Sequence, residues 1–167
     1  MNIYGYCRIS TAKQSIDRQI RNIKAEYPTA HIVQEAYTGT SIFRPEWLKL
    51  YRVLKSGDMV VFDSVSRMSR NAEEGFTLYE DLYHKGIRLV FLKEHHIDTE
   101  TYKKALSGSI AMTGTNVDFI LKGINEYLMA LAKEQIKLAF EQSEKEVADL
   151  HQRTREGLLT ARLNGKQ

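Results

Sequence analysis

Two groups of basic and hydroxyl side chains each follow a short apolar run, and their residue types suit chemistry on a phosphodiester. The run 3–8 closes on Arg8, and Ser10 comes two residues later; the apolar residues 59–62 are followed by Ser-Arg-Met-Ser-Arg at 66–70. Guanidinium groups stay charged and bind phosphate oxygens through two parallel hydrogen bonds. The sequence therefore predicts a serine nucleophile beside arginines that hold a phosphate.

The charge of such a site comes from Arg8, Arg67 and Arg70, with Arg44 between them in sequence. A serine that attacks phosphorus builds negative charge on the equatorial oxygens, and each preorganised donor aimed there is worth roughly 3–4 kcal/mol. We therefore expect no metal ion and no cofactor. The alternative for any one of these arginines is an ordinary solvated surface residue.

Strand-like and helix-like segments alternate along the first half of the chain, which predicts an α/β fold with a mostly parallel central sheet flanked by helices. We place strands at 3–8, 31–37, 58–63 and 87–93, and helices at 15–27, 45–56 and 71–85. Parallel strands end at one edge of a sheet, so the two basic groups are expected to face a common crevice there.

A single long helix is predicted from about 117 to 163, because apolar residues recur at helical spacing and no proline intervenes. Such a rod is about 65–70 Å long, more than this small domain can cover. Its apolar stripe predicts a dimer interface at Leu121, Ile124, Leu128 and Leu131. The alternative is a break near Gly123 into two packed helices.

Composition is compatible with a globular domain plus an appendage: 167 residues, 43% of them hydrophobic. The formal charge of +3 means that a nucleic-acid footprint has to come from local clustering. The single cysteine, Cys7, lies in an apolar strand and is expected to be buried. No secretory signal or membrane-length apolar run is recognisable, so a soluble, cytoplasmic protein is expected.

At the level of motifs, the chain resembles the serine recombinases (resolvases, invertases and serine integrases), in their catalytic domain and following long helix. The family's nucleophile loop and first helix are matched in this sequence by Tyr6-x-Arg8-x-Ser10-Thr11, followed by Gln14, Asp17 and Gln19. The family's mobile loop resembles 38–45, its arginine motif resembles 66–71, and the close of its long helix resembles 144–158.

The resemblance implies a catalytic domain at 1–116 and a dimerisation and DNA-contacting helix at 117–167. It implies that Ser10 attacks a phosphodiester of double-stranded DNA and forms a 5′-phosphoserine link, while Arg8, Arg67 and Arg70 hold the phosphate. Supporting positions are Gln14, Asp17, Gln19, Arg44 and Ser66. The distal helix would contact DNA through Arg153, Arg155, Arg162 and Lys166. The expected assembly is a homodimer that becomes a tetramer during strand exchange.

The chain departs from the family pattern in four places. Ser66 stands where resolvases usually carry aspartate, and Val147 stands where many relatives have arginine. The segment 99–116 looks longer than the resolvase link and is expected to be a mobile flap or an oligomer contact. The chain stops at 165–167, where a linker to a DNA-binding domain would begin, so that domain is expected to be absent from this chain.

Other residues have competing interpretations. Adjacent His95 and His96 are expected to be loop residues on an extended segment, pointing in opposite directions, and not metal ligands. Trp47 is expected in the core. Asp63, at a strand end, would be the phospho-acceptor of a receiver-like switch, which is one alternative function. A non-catalytic DNA-binding and dimerisation module is another.

Overall fold

A four-stranded parallel sheet forms the centre of the protein, as seen in a computed structural model that describes residues 1–9, 16–36, 44–107 and 111–165. The strands are β1 (Ile3–Arg8), β2 (His31–Glu35), β3 (Met59–Phe62) and β4 (Arg88–Phe91). Their order in the sheet is β2-β1-β3-β4, with every neighbouring pair parallel. The predicted parallel α/β fold is confirmed.

The order of the strands creates a switch point beside β1. The chain leaves β1 toward β2 on one side and later returns to β3 on the other, where Tyr6 pairs with Phe62 in register. Crossovers on opposite sides of one strand leave a crevice at the carboxyl ends of β1 and β3, which is where open α/β sheets bind ligands.

Within these described ranges, six α-helices accompany the sheet. They are α1 (Asp17–Glu26), α2 (Pro45–Val53), α3 (Val65–Met68), α4 (Ala72–His84), α5 (Thr99–Ser107) and α6 (Asp118–Leu163). Pro45 occupies the first turn of α2, where its missing N–H is not needed. Asn71 caps α4 by accepting a hydrogen bond from the backbone N–H of Glu74 at 3.0 Å.

The sheet separates two apolar cores. The smaller core lies under α1 and includes Cys7, Ile23 and Val61. The larger one lies under α2, α4, α5 and α6, and it contains a run of aromatic side chains that includes Trp47, Phe62 and Phe91. The predicted burial of Cys7 and Trp47 is confirmed, since they are 0% and 7% exposed.

The helix α6 is continuous for 46 residues, so the alternative break at Gly123 does not occur. It is anchored on the larger core through Ile136, Ala139 and Phe140, which are all buried. The approach is close at α4, because a Cβ on Gly75 would lie 2.5 Å from the Phe140 ring. On either side of this anchor most of α6 is exposed.

Two local expectations differ from the structure. Residues 99–107 do not form a flap but the helix α5, whose Thr99 and Tyr102 are buried against β4 and α4; the alternative of an oligomer contact stays a prediction. His95 and His96 belong to a 3-10 turn, His95–Ile97, and not to an extended segment. In both places a polar side chain accepts backbone N–H groups: Thr99 Oγ1 from Leu89, and Asp98 Oδ1 from Phe91. Among the residues described, no helix is both long and apolar enough to cross a bilayer.

Candidate active site

The candidate site lies at the carboxyl ends of β1 and β3, on the crevice that the strand order creates. Arg8 is the last residue of β1, and the arginine-bearing helix α3 begins two residues after Asp63, which follows β3. Arg67 and Arg70 lie in and just after α3. The two basic groups predicted from the sequence are therefore neighbours in space.

Arg8 is fixed by both its backbone and its side chain. The Gln19 side chain accepts a hydrogen bond from the Arg8 backbone N–H at 3.1 Å and donates one to the Arg8 carbonyl at 2.8 Å. The Arg8 Nη2 donates to the carbonyl oxygen of Ser66 at 2.5 Å. Only 6% of Arg8 is exposed, so this residue is a buried part of the scaffold and not a surface cation.

The other arginines converge on the same backbone. Arg67 Nη1 donates to the Arg8 carbonyl at 3.1 Å. Arg44, the residue before α2, donates through Nη1 to the carbonyl of Met68 in α3. Arg70 lies near enough to lower the pKa of both Arg8 and Arg67 by charge repulsion. Four guanidinium groups thus share one end of the sheet.

Burial and mutual repulsion make this cluster electrostatically costly. Desolvation, followed by the charges of Arg44 and Arg70, lowers the pKa of Arg8 to about 9. Desolvation also lowers the pKa of Arg67. The Nε atoms of both residues are buried and find no hydrogen-bond acceptor within the described ranges. A bound anion would compensate the charge, which is what a phosphodiester would provide.

Two carboxylates bind the first backbone N–H groups of α3 and α4, the helices on either side of Arg70. Neither was predicted from the sequence as a site residue, and Glu144 was included there only as part of a motif. Glu94 accepts the backbone N–H of Val65 at the start of α3, at 3.1 Å. Glu144 of α6 accepts that of Ala72 at the start of α4, also at 3.1 Å. Each carboxylate sits at a helix N-terminus, where negative charge is favourable. Nothing in the local sequence pairs these residues.

A third such carboxylate is Glu35, at the end of β2. It is 2% exposed and accepts the backbone N–H of Trp47 at 3.0 Å, which fixes the first turn of α2 and, with it, Arg44. Burial is the main cause that raises the pKa of Glu35. Its position at the end of a strand was the available signal in the sequence.

Asp63 is buried and bound by two neighbouring side chains, whereas a phospho-acceptor has to be accessible to its phosphate donor. It is 1% exposed, its Oδ1 accepts a hydrogen bond from Asn22 of α1 at 3.0 Å, and Lys93 Nζ lies 3.3 Å from its Oδ2. In the part of the chain that the structure describes, no group of three or more His, Cys, Asp or Glu side chains is arranged to hold a metal ion. The receiver-like alternative therefore gains no support from this site.

The remaining predicted residues are spread along the chain. Ser10, Gln14 and Lys166 lie outside the described residues. Asp17 opens α1 and is exposed, whereas Ser66 lies in α3 with its Oγ 2.7 Å from that of Ser64. Exposed positions on the distal part of α6 are occupied by Arg153, Arg155 and Arg162.

The predicted interface residues lie on the proximal part of α6. Ile124 and Leu128 are each 38% exposed, and Leu121 and Leu131 are partly buried. More exposed apolar neighbours that the prediction omitted are Phe119 at 82%, Ile120 at 65% and Tyr127 at 64%. The unpartnered apolar surface is therefore wider than the predicted stripe.

Comparison with known proteins gives a consistent result. The family model described as "Resolvase, N terminal domain" matches residues 3–136. A resolvase of Clostridium perfringens (strain 13 / Type A) is 27% identical over 166 residues, which are 98% of this chain and 74% of that protein. The transposon Tn21 resolvase of Escherichia coli is 26% identical over 159 residues, covering 92% of this chain and 83% of its own.

Among solved structures, a resolvase family site-specific recombinase from Streptococcus pneumoniae aligns over 96% of this chain and 97% of its own, with 20% identity and a TM-score of 0.47. The family model alone spans most of the chain, including β1, the arginine helix and the first part of α6 as far as Ile136. The chain therefore belongs to the resolvase family of site-specific recombinases.

Proposed function

We propose that this chain cleaves and rejoins double-stranded DNA with Ser10 as the nucleophile. The observation that carries the proposal is the convergence of the Arg8, Arg44, Arg67 and Arg70 side chains at the carboxyl end of β1, two residues before Ser10. A phosphodiester in that crevice would meet preorganised positive charge, which stabilises a phosphorane-like transition state.

In the proposed step, a bond forms between Ser10 Oγ and phosphorus while the bond from phosphorus to the DNA 3′ oxygen breaks. The hydroxyl proton of the serine ends on the 3′ oxygen, which leaves a free 3′-hydroxyl and a 5′-phosphoserine. The ester keeps the free energy of the broken strand, so strand exchange and religation need no nucleotide cofactor.

The assembly that we propose for this reaction is a homodimer that pairs into a tetramer. Residues 1–116 would act as the catalytic domain and 117–167 as the dimerisation and DNA-contacting helix. The exposed apolar residues at the start of α6 support self-association, since such surface on a small domain marks an interface. Arg153, Arg155 and Arg162 would contact phosphates from the distal end.

The test is covalent capture. Nicked duplexes that tile the DNA flanking the gene of this chain are incubated with the protein, and any protein–DNA adduct is mapped by mass spectrometry. We expect an adduct on Ser10 and none with Ser10→Ala. Loss of one hydroxyl group should leave unfolding temperature and self-association unchanged.

Ser66→Ala is the matched control, because Ser66 is a hydroxyl residue whose backbone carbonyl accepts a hydrogen bond from Arg8. It should still form the adduct. An adduct that maps to Ser66 or Ser69, or one that persists in Ser10→Ala, would contradict the assignment of the nucleophile.

A further inference from the structure

Asp63 is a buried carboxylate that the proposed reaction does not use. It follows β3 directly, its side chain is 1% exposed, and Asn22 Nδ2 donates to its Oδ1 at 3.0 Å. The ammonium of Lys93 lies 3.3 Å from Oδ2, but Oδ2 accepts no hydrogen bond of good geometry from the described residues. Half of the Lys93 side chain is exposed, so water shares its charge. Asp63 therefore has bonding capacity that Lys93 leaves unused.

Helix α1 places this carboxylate in the neighbourhood of Arg67, at a separation longer than that of a direct ion pair. The Arg8 carbonyl accepts hydrogen bonds from both Gln19 Nε2 and Arg67 Nη1, so the Arg67 guanidinium lies beside the Gln19 amide. One turn further along α1, Asn22 binds Asp63. Residues three apart on a helix are about 5–6 Å from each other at Cβ. The acidic and guanidinium groups thus occupy adjacent places along the same helix face.

The positive charges around Arg67 would be partly neutralised by the carboxylate of Asp63. Burial lowers the pKa of Arg67, and the charges of Arg70 and Arg18 lower it further, whereas Asp63 is the carboxylate that opposes them. The comparison within the site is Arg8, whose charged neighbours are arginines and whose pKa falls to about 9. A guanidinium with a buried counter-charge keeps its proton where one without it does not.

We propose that Asp63 is a positioning residue for strand cleavage: held by Asn22, its carboxylate keeps the guanidinium of Arg67 charged while that group is bound to the Arg8 carbonyl at the end of β1. This inference rests on the proposed function for its catalytic part. Its electrostatic part concerns Arg67 alone and is measurable without DNA. Lys93 is then a partner at the rim and not the reason that Asp63 is buried.

The first measurement is a pH titration of the Arg67 guanidinium by NMR, on the full chain without DNA, for the wild type, Asp63→Asn and Lys93→Met. Asp63→Asn removes the charge and keeps the shape, so it should lower the pKa of Arg67 by about one unit or more. Lys93→Met removes the rim cation and should leave the pKa of Arg67 unchanged or higher. An unchanged titration in a folded Asp63→Asn protein would overturn the proposal.

The second measurement is the single-turnover cleavage rate as a function of pH, on the nicked duplex that forms the adduct with the wild-type protein. Asp63→Asn should cut the rate by about 10- to 100-fold, with DNA affinity retained and with the alkaline limb moved to lower pH. Lys93→Met should cleave at nearly the wild-type rate. Equal losses in the two variants would overturn the proposal, because Asp63 would then act through Lys93.

A third variant covers the case in which Asp63→Asn does not fold. Asn22→Ala frees Asp63 Oδ1 without changing any charge, and it should give a smaller loss of cleavage and little shift of the alkaline limb. Wild-type cleavage in Asn22→Ala would contradict the positioning role. If the wild type forms no adduct at Ser10, the proposed function fails, and the Arg67 titration alone decides the role of Asp63.

Discussion

At the scale of single residues, the site is built from side chains that hold backbone. The Gln19 side chain forms hydrogen bonds with both the backbone N–H and the backbone carbonyl of Arg8, and Arg67 donates to that same carbonyl. Arg8 in turn donates a hydrogen bond to the Ser66 carbonyl. Arg8 and Arg67 therefore use some of their N–H donors to bind backbone carbonyls, while their positive charge is left for a ligand. Such preorganisation lowers the reorganisation that the reaction would otherwise require.

The pKa of Arg8 leads to a prediction about alkaline pH. A base with a lowered pKa loses its proton as the pH rises through that value, so the free protein should lose one positive charge of the site near pH 9. With DNA below saturation, the cleavage rate should therefore fall above about pH 9. With saturating DNA, the fall should move to higher pH, because the phosphate favours the charged form.

Single-turnover rates over an alkaline pH series, at both DNA concentrations, provide the measurement. Arg8→Lys serves as the comparison, since a buried ammonium loses its proton at lower pH than a guanidinium does. A rate that stayed level through pH 10 at low DNA concentration would count against a role for the Arg8 charge.

Which residues meet at this site was partly predictable from the sequence. Arg8, Arg67 and Arg70 follow strands whose carboxyl ends lie side by side, and alternation of strands and helices was enough to predict that neighbourhood. Glu94 was not predictable, because it reaches α3 from a segment 29 residues away. Contacts of this kind depend on the packed geometry and leave no local pattern.

At the scale of elements, the contacts between α6 and α4 include a close approach, a hydrogen bond to a carboxylate and the ion pair of Lys133 with Glu80. Gly75 lies against the buried Phe140 ring, and Glu144 accepts the first free N–H of α4. Because Asn71 and Ala72 directly follow the arginine turn, the contact between the two helices also sets where Arg70 lies. The long helix is thus part of the support of the candidate site.

Two glycines in helices should respond in opposite directions to the same substitution. Gly75→Ala places a Cβ 2.5 Å from Phe140, so it should destabilise the fold by about 1–3 kcal/mol. Gly123→Ala meets nothing within 4 Å inside α6 and should stabilise the helix by about 0.5–1 kcal/mol. Urea unfolding followed by circular dichroism compares them, and a Gly75→Ala protein as stable as the wild type would show that α6 does not pack on α4 as described.

The elements themselves were largely predictable, and the exceptions have a physical cause. The four strands begin within one residue of the predicted positions, because β-branched and aromatic runs bounded by turn residues are strong signals. Helix α5 was missed because its sequence, Thr99–Ser107, carries few apolar residues at helical spacing. Its stability comes from the burial of Tyr102 and from the two hydrogen bonds between Thr99 and Leu89.

At the scale of the whole molecule, the chain leaves a broad apolar surface on the proximal part of α6 without a partner among the residues described. Phe119, Ile120 and Tyr127 add to the predicted stripe of Leu121, Ile124, Leu128 and Leu131. Among the described residues, the inward side of the same helix is buried against its own domain at Ile136, Ala139, Phe140 and Ser143. A second copy of the chain would cover the outward side.

We therefore expect self-association that depends on this surface. Ile124→Asp combined with Leu128→Asp should convert a dimer to a monomer in sedimentation equilibrium at micromolar concentration, because charge is costly in an apolar interface. Leu158→Asp is the matched control, since Leu158 is also exposed on α6, at 62%, but lies far from the stripe. A wild-type chain that stayed monomeric would refute the predicted interface.

The anchoring of α6 near its middle has a mechanical consequence. Ser143 is the last residue of α6 that is buried among those whose burial is described, and from there to Leu163 the helix extends for about 30 Å. It therefore acts as a lever whose pivot is Glu144, and a tilt of about 5° there moves the tip by about 2.5 Å. Since Glu144 also accepts the backbone N–H of Ala72, two residues after Arg70, a force applied at the tip would be transmitted to the arginine turn through this hydrogen bond.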